Sequence, residues 1–320
     1  MQIARHRFST AILVVGGVLL ADATWAAPPT RANPLRVATL RWYHSARNAV
    51  DVPTGASPTA VVFDGQAIWT ANYADNSVSK VRASDGAPLG VFPVGAQPQG
   101  LVFDGLSVWV SNFTDNTVTR LRASDGSVMG TFPAGPFPYQ MAFDGENIWI
   151  GDNGSTNVTK LRASDGTNLG TFSVSCNPMG IAFDGTSIWV LSGSCASIEK
   201  IRPSDGAVLA SYPIDPSPWG LAFDGEHLWI AHSGGVVTKL RVADGVRVGR
   251  YRVGGEARHV AFDGSAIWVT KGLTNTVVKL RLADGAILDE PPVGPNPWGV
   301  AFDGSFLWIA NGDNNTLSKR

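Results

Sequence analysis

Five ionisable residues between positions 232 and 271 are the one constellation in this chain with the ingredients of acid–base chemistry. His232, Glu256, Arg258, His259 and Lys271 bring two imidazoles, a carboxylate and two cations. A histidine near a carboxylate is a working pair for general acid–base catalysis. His232, Glu256 and His259 are therefore the catalytic candidates, and a salt-bridged rim is the structural alternative for the same residues. No nucleophile elbow, phosphate-binding glycine loop or metal-ligand spacing accompanies them. The sequence thus implies no metal site and no cofactor.

What must position these residues is a repeat. Phe-Asp-Gly begins at Phe63, Phe103, Phe143, Phe183, Phe223, Phe262 and Phe302, at spacings of 40, 40, 40, 40, 39 and 40. A tryptophan follows each Phe by six residues, from Trp69 to Trp308. A second Asp-Gly turn holds Asp85, Asp125, Asp165, Asp205, Asp244 and Asp284. Within one unit, Gln99 to Phe103 reads as a strand that ends in a hairpin turn at Asp104-Gly105. Ser107–Asn112, Asn116–Arg122 and Val128–Pro133 read as three more. Four antiparallel strands per unit of this length make a propeller blade, here strands A to D from the channel outward.

Closure makes the count specific. The last unit stops in strand C at Arg320, while Ala49–Gly55 aligns with the strand-D segment Leu89–Gly95. An N-terminal strand that completes the last blade staples the ring shut and removes an exposed edge. The sequence predicts an all-β, seven-bladed β-propeller over residues 41–320, its last blade closed by that strand.

The segments Trp69-Thr-Ala-Asn72, Trp109-Val-Ser-Asn112 and Trp308-Ile-Ala-Asn311, followed by Asn116-Thr-Val and Asn315-Thr-Leu, resemble the signature of YVTN-type bacterial propellers, with Trp in place of Tyr. Four units depart from it at the Asn position, with Asp152, Ser192, His232 and Lys271. The resemblance implies the fold across all seven units, and the family is functionally mixed. A more distant architectural resemblance is to virginiamycin B lyase-like propellers, which use a His base with Glu-held magnesium on the equivalent face. The blade motif of those enzymes is absent here.

Residues common to every blade are read as scaffold, with the seven Trp packing between blades. Function is sought where the repeat varies. The start of strand A reads Thr59, Gln99, Tyr139, Met179, Trp219, Arg258 and Trp298 around the ring, and the end of strand B reads Asn72, Asn112, Asp152, Ser192, His232, Lys271 and Asn311. Aromatics beside polar groups at a channel mouth suit a ligand pocket. Tyr139, Met179, Trp219, Arg258, Trp298, Asn72, Asn112, Asp152 and Lys271 are the ligand-binding candidates. Cys176 and Cys195 flank the A–B hairpin of the fourth blade symmetrically, which predicts a disulfide.

The N-terminus has the basic, apolar and small-residue zones of a secretory signal peptide, assigned to residues 1–26, with a linker over 27–40. Its apolar run, Phe8 to Leu20, is short for a membrane helix. No integral membrane segment remains once it is cleaved. A net charge of −1 gives no footprint for nucleic acid. The reading is a periplasmic or secreted monomeric binding or scaffold protein for a peptide, glycan or envelope partner. A lyase or hydrolase acting at the same face is the alternative.

Overall fold

Seven four-stranded antiparallel sheets account for residues 50–320, the part of the chain that the computed structural model describes. The expected signal peptide and linker lie outside the described residues. Among the described residues there is no helix. The second blade consists of Pro98–Phe103, Ser107–Asn112, Thr117–Arg122 and Val128–Pro133, strands A to D in sequence order. Strand B is buried along its whole length, whereas strand D alternates and leaves Val128 and Met129 exposed.

The Phe-Asp-Gly turn explains why each blade forms. Asp104 Oδ1 accepts the backbone N–H groups of Leu106 and Ser107 at 2.8 and 2.6 Å, which closes the A–B hairpin. Gly105 sits at φ +100°, where an L-residue would be strained. The other carboxylate oxygen of Asp104 accepts the indole N–H of Trp109 at 2.8 Å. The same turn-to-indole bond recurs in all seven blades, at 2.7–2.8 Å. Each indole then packs outward into the next blade. Trp69 lies against Leu101, Val108 and Leu121, and Trp109 against Met141, Ile148 and Leu161.

Closure follows the sequence expectation. Val50–Pro53 pairs antiparallel with Thr316–Lys319, from Val50 opposite Lys319 to Pro53 opposite Thr316. Ser318 donates to the Asp51 carboxylate at 2.7 Å, and Val52 joins Trp308 in a cluster with Ile68 and Val81 of the first blade. The two ends of the described chain are held in one sheet.

Two devices hold the mouth loops, which are the D–A and B–C connections. Asn116 adopts φ +58°, and its side-chain oxygen accepts the N–H of Phe137 in the following loop at 2.9 Å. Asn76, Asn275 and Asn315 do the same for Gln97, Asn296 and Ser57. The second device ties the two loops of one blade together. In the first two blades, Asp75 and Asp115 accept the N–H groups of Ala56 and Ala96 at 2.6 and 2.7 Å. In the fourth blade those repeat positions hold Cys195 and Cys176, which form the disulfide, with Cα atoms 6.0 Å apart. A covalent tie replaces the carboxylate one. The denatured, unreduced protein should show no reactive thiol. Cross-linking a loop of this length contributes about 3 kcal/mol, so reduction, or the double change Cys176→Ser and Cys195→Ser, should lower Tm by several degrees in a calorimetric scan.

Candidate functional site

Strand A is the innermost strand of each blade, so its first residues face the channel. Together with the mouth loops they enclose a cavity of about 410 Å³. Thr59, Gln99, Tyr139, Met179, Trp219 and Trp298 line it, six of the seven strand-A positions singled out by the repeat. Trp219 and Trp298 lie with ring centroids 5.2 Å apart at 56°. Phe113 stacks on Phe137 at 5.0 Å and meets Tyr139 edge-on at 6.3 Å. Burial pushes the Tyr139 hydroxyl up to about 12, an effect that the nearby Arg258 opposes.

Arg258, the seventh strand-A position, does not line the cavity. It is buried behind Trp298, with its guanidinium carbon 4.2 Å from the ring centroid. Its Nε donates to Glu256 at 2.9 Å, and Nη1 donates to the Asn296 side-chain oxygen. The Asn296 amide donates in turn to Asp313 at 2.7 Å. Asn296 and Asp313 both line the cavity.

The strand-B ends behave differently from the sequence expectation. The side chains of Asn72, Asn112 and Asp152 are wholly buried within their blades and do not line the cavity. Asn112 donates to the Thr117 and Thr119 hydroxyls at 3.0 and 2.9 Å and accepts the Gly95 N–H at 3.1 Å. Asp152 accepts from Thr159 at 2.7 Å and from the Gly135 N–H at 3.2 Å. Lys271 is buried likewise, its ammonium 2.7 Å from Glu290. Successive side chains in an extended segment point to opposite faces, so a one-residue shift exchanges interior for channel. In four blades the residue after strand B lines the cavity instead, as Tyr73, Phe113, Asn153 and Gly312. The aromatics at 73 and 113 were the available sequence signal. Asn296 and Asp313 carried none, because their roles come from side chains meeting across loops.

Beside the strand-B ends a polar link joins the D–A loop to strand C, with different chemistry in successive blades. In the second and third blades Asn112 and Asp152 accept the loop N–H. In the first and seventh the N–H groups of Gly55 and Gly294 donate to Ser79 and Ser318, to which the Asn72 and Asn311 amides also donate. In the fourth, Glu199 accepts the Ser175 N–H at 3.1 Å. In the fifth, His232 contacts the Thr238 hydroxyl at 3.0 Å, and that hydroxyl donates to Asp215.

The three catalytic candidates do not converge. His232 is bound within this link, and Glu256 is engaged by Arg258. The His259 ring lies 6.4 Å from that of Trp298. Among the described residues, no hydrogen bond or ion pair joins any two of the three. Burial, reinforced by the Arg258 charge, lowers the His259 pKa to about 4, so its ring is neutral near pH 7. Burial also lowers that of His232, against the pull of Asp215. No group of three or more His, Cys, Asp or Glu side chains among the described residues could hold a metal ion.

No family model matches the chain, and no curated protein sequence does either. Solved structures share the architecture. A chain of Kuenenia stuttgartiensis hydrazine synthase superposes with a TM-score of 0.72 at 17% identity, covering 88% of this chain and 99% of that one. A streptogramin B lyase gives 0.73 at 20%, covering 85% and 96%. U3-55K gives 0.77 at 14%, covering 86% and 98%. At these identities the likeness establishes the propeller fold alone.

Burial, partly offset by the Thr159 and Gly135 bonds, raises the Asp152 pKa from 3.8 to about 7. A carboxyl raised on folding binds its proton more tightly in the native state. This contribution to stability therefore falls as pH rises from about 4 to about 7 and stays lost above that. Asp152→Asn installs the side chain used in the first two blades, with an amide able to donate to Thr159. It should stabilise the protein by about 1–3 kcal/mol at pH 8 and by much less at pH 4, as measured by denaturant titration at the two pH values.

Proposed function

We propose that this protein is an exported, non-enzymatic binding propeller of the YVTN type that takes a ligand at its channel mouth. The observation that carries the reading is the aromatic-lined cavity, built from positions at which the repeat varies, on a scaffold whose other positions are repeated. Concave, largely apolar sites with a few placed polar groups are where proteins take ligands. Export is supported by the signal-like N-terminal sequence and by the disulfide, a bond that persists in oxidising compartments. The periplasm or the cell exterior is the proposed location, and no helix among the described residues is long and apolar enough to cross a membrane.

A peptide, a glycan or an envelope protein is the proposed partner. The lyase alternative has fold likeness in its favour, but His232, Glu256 and His259 are each engaged separately. Labelled protein screened against peptide and glycan arrays should show binding that the double change Trp219→Ala and Trp298→Ala weakens at least tenfold. Both side chains are half-buried at the mouth, outside the inter-blade clusters, so Tm should move little. Undiminished binding by the folded double variant would remove the channel mouth as the site.

A further inference from the structure

We infer that the channel-mouth cavity selects an alkylammonium group, carried either by a small organic amine or by a lysine side chain of a peptide. The inference rests on the binding role proposed above and adds the chemistry of the ligand.

The walls come first. Tyr73, Phe113, Tyr139, Trp219 and Trp298 surround the space from several blades, and their π-faces carry partial negative charge. Such aromatic enclosures attract organic cations, most strongly where water is excluded. The structure already contains one instance of this attraction, since the Arg258 guanidinium covers a face of Trp298.

Charge comes second. Asp313 is the one Asp, Glu, Lys or Arg among the residues that line the cavity. It is also held in place. The Asn296 side-chain oxygen is taken by Arg258, which leaves the amide nitrogen to donate to Asp313 Oδ1. Among the described residues, no hydrogen bond is made to Asp313 Oδ2. The nearby Arg258 lies behind Trp298, paired with Glu256, and His259 is uncharged. An anionic ligand would find no free cation on these walls.

Part of the polar lining that a sugar would use is already engaged within the protein. Saccharide hydroxyls are bound by amides and carboxylates with donors and acceptors to spare. Here the Asn153 amide donates to the Pro178 carbonyl at 3.0 Å, and Asn296 is engaged at both ends. Among the amide side chains that line the cavity, only Gln99 lacks a side-chain partner.

The test compares charged probes with uncharged probes of the same shape, followed by tryptophan fluorescence and calorimetry on the full chain. Choline is set against 3,3-dimethylbutanol, and N-acetyl-lysine methylamide against its norleucine counterpart. At least one cation should bind saturably and tenfold or more tighter than its neutral match, and added salt should weaken it. The arm that binds identifies the source, a small amine or a lysine side chain. Asp313→Asn should weaken the cation at least tenfold and leave the neutral compound unchanged. The residue is exposed and Asn can still accept from Asn296, so the fold is preserved. Equal binding of cation and isostere, no binding of either cation, or indifference to Asp313→Asn overturns the inference. If the tryptophan double variant still abolishes array binding in those cases, the channel mouth remains the site and only the ligand chemistry fails.

Discussion

The indole N–H of one tryptophan per blade, bonded to the carboxylate of the blade's own A–B turn, is the constraint on which the rest of the structure depends. A buried indole contributes a large apolar surface but carries a donor that is costly to leave unpaired. The Phe-Asp-Gly aspartate satisfies it and closes the hairpin with its other oxygen. A strand-C cation completes the unit. Lys160 lies over the Trp149 ring at 5.0 Å, and its ammonium reaches the Pro203 carbonyl of the next blade at 2.7 Å. Lys239 and Lys319 make the corresponding bonds to Leu282 and Ala83, the latter across the point of closure. One carboxylate, one indole and one cation thus join turn, blade and neighbour.

A scaffold fixed in this way leaves its mouth free to vary. The polar link beside the end of strand B shows how little identity matters there, since Ser, Asn, Asp, Glu and a His–Thr–Asp chain all serve it. Any pairing of donor with acceptor that spans the gap keeps the D–A loop on strand C. Side-chain size is traded between partners. Gly95 and Gly135 have no room for a side chain beside Asn112 and Asp152, whereas Ser175 and Asp215 occur opposite Ser192 and His232. The disulfide belongs to the same logic, as a covalent form of a tie that carboxylates make elsewhere.

The sixth blade contributes nothing to the lining of the cavity, although it holds most of the ionisable departures from the repeat. Its charges are matched within the protein, with Arg258 against Glu256 and Lys271 against Glu290. Buried ions of opposite sign that meet each other are poorly placed to meet a substrate. The mouth is therefore defined by the aromatics of the other blades, with a single carboxylate beside them.

The sequence by itself determined the architecture. Blade number, the order of strands and the closing strand follow from a period of about 40 residues and the position of the unit that lacks its fourth strand. The disulfide was legible too, because hairpin register converts symmetric spacing into proximity. At the mouth, the strand-A positions could be read from the same register, and Thr59, Gln99, Tyr139, Met179, Trp219 and Trp298 do line the cavity. Only the tertiary structure decided which way strand B turns its last side chain, and it turned Asn72, Asn112 and Asp152 inward. It alone brought Asn296 to Asp313 and placed Arg258 behind Trp298. The physical reason is range. Turns, alternation and repeats are set by neighbours along the chain, whereas the facing of a loop side chain and the pairing of a charge depend on residues from another part of the ring.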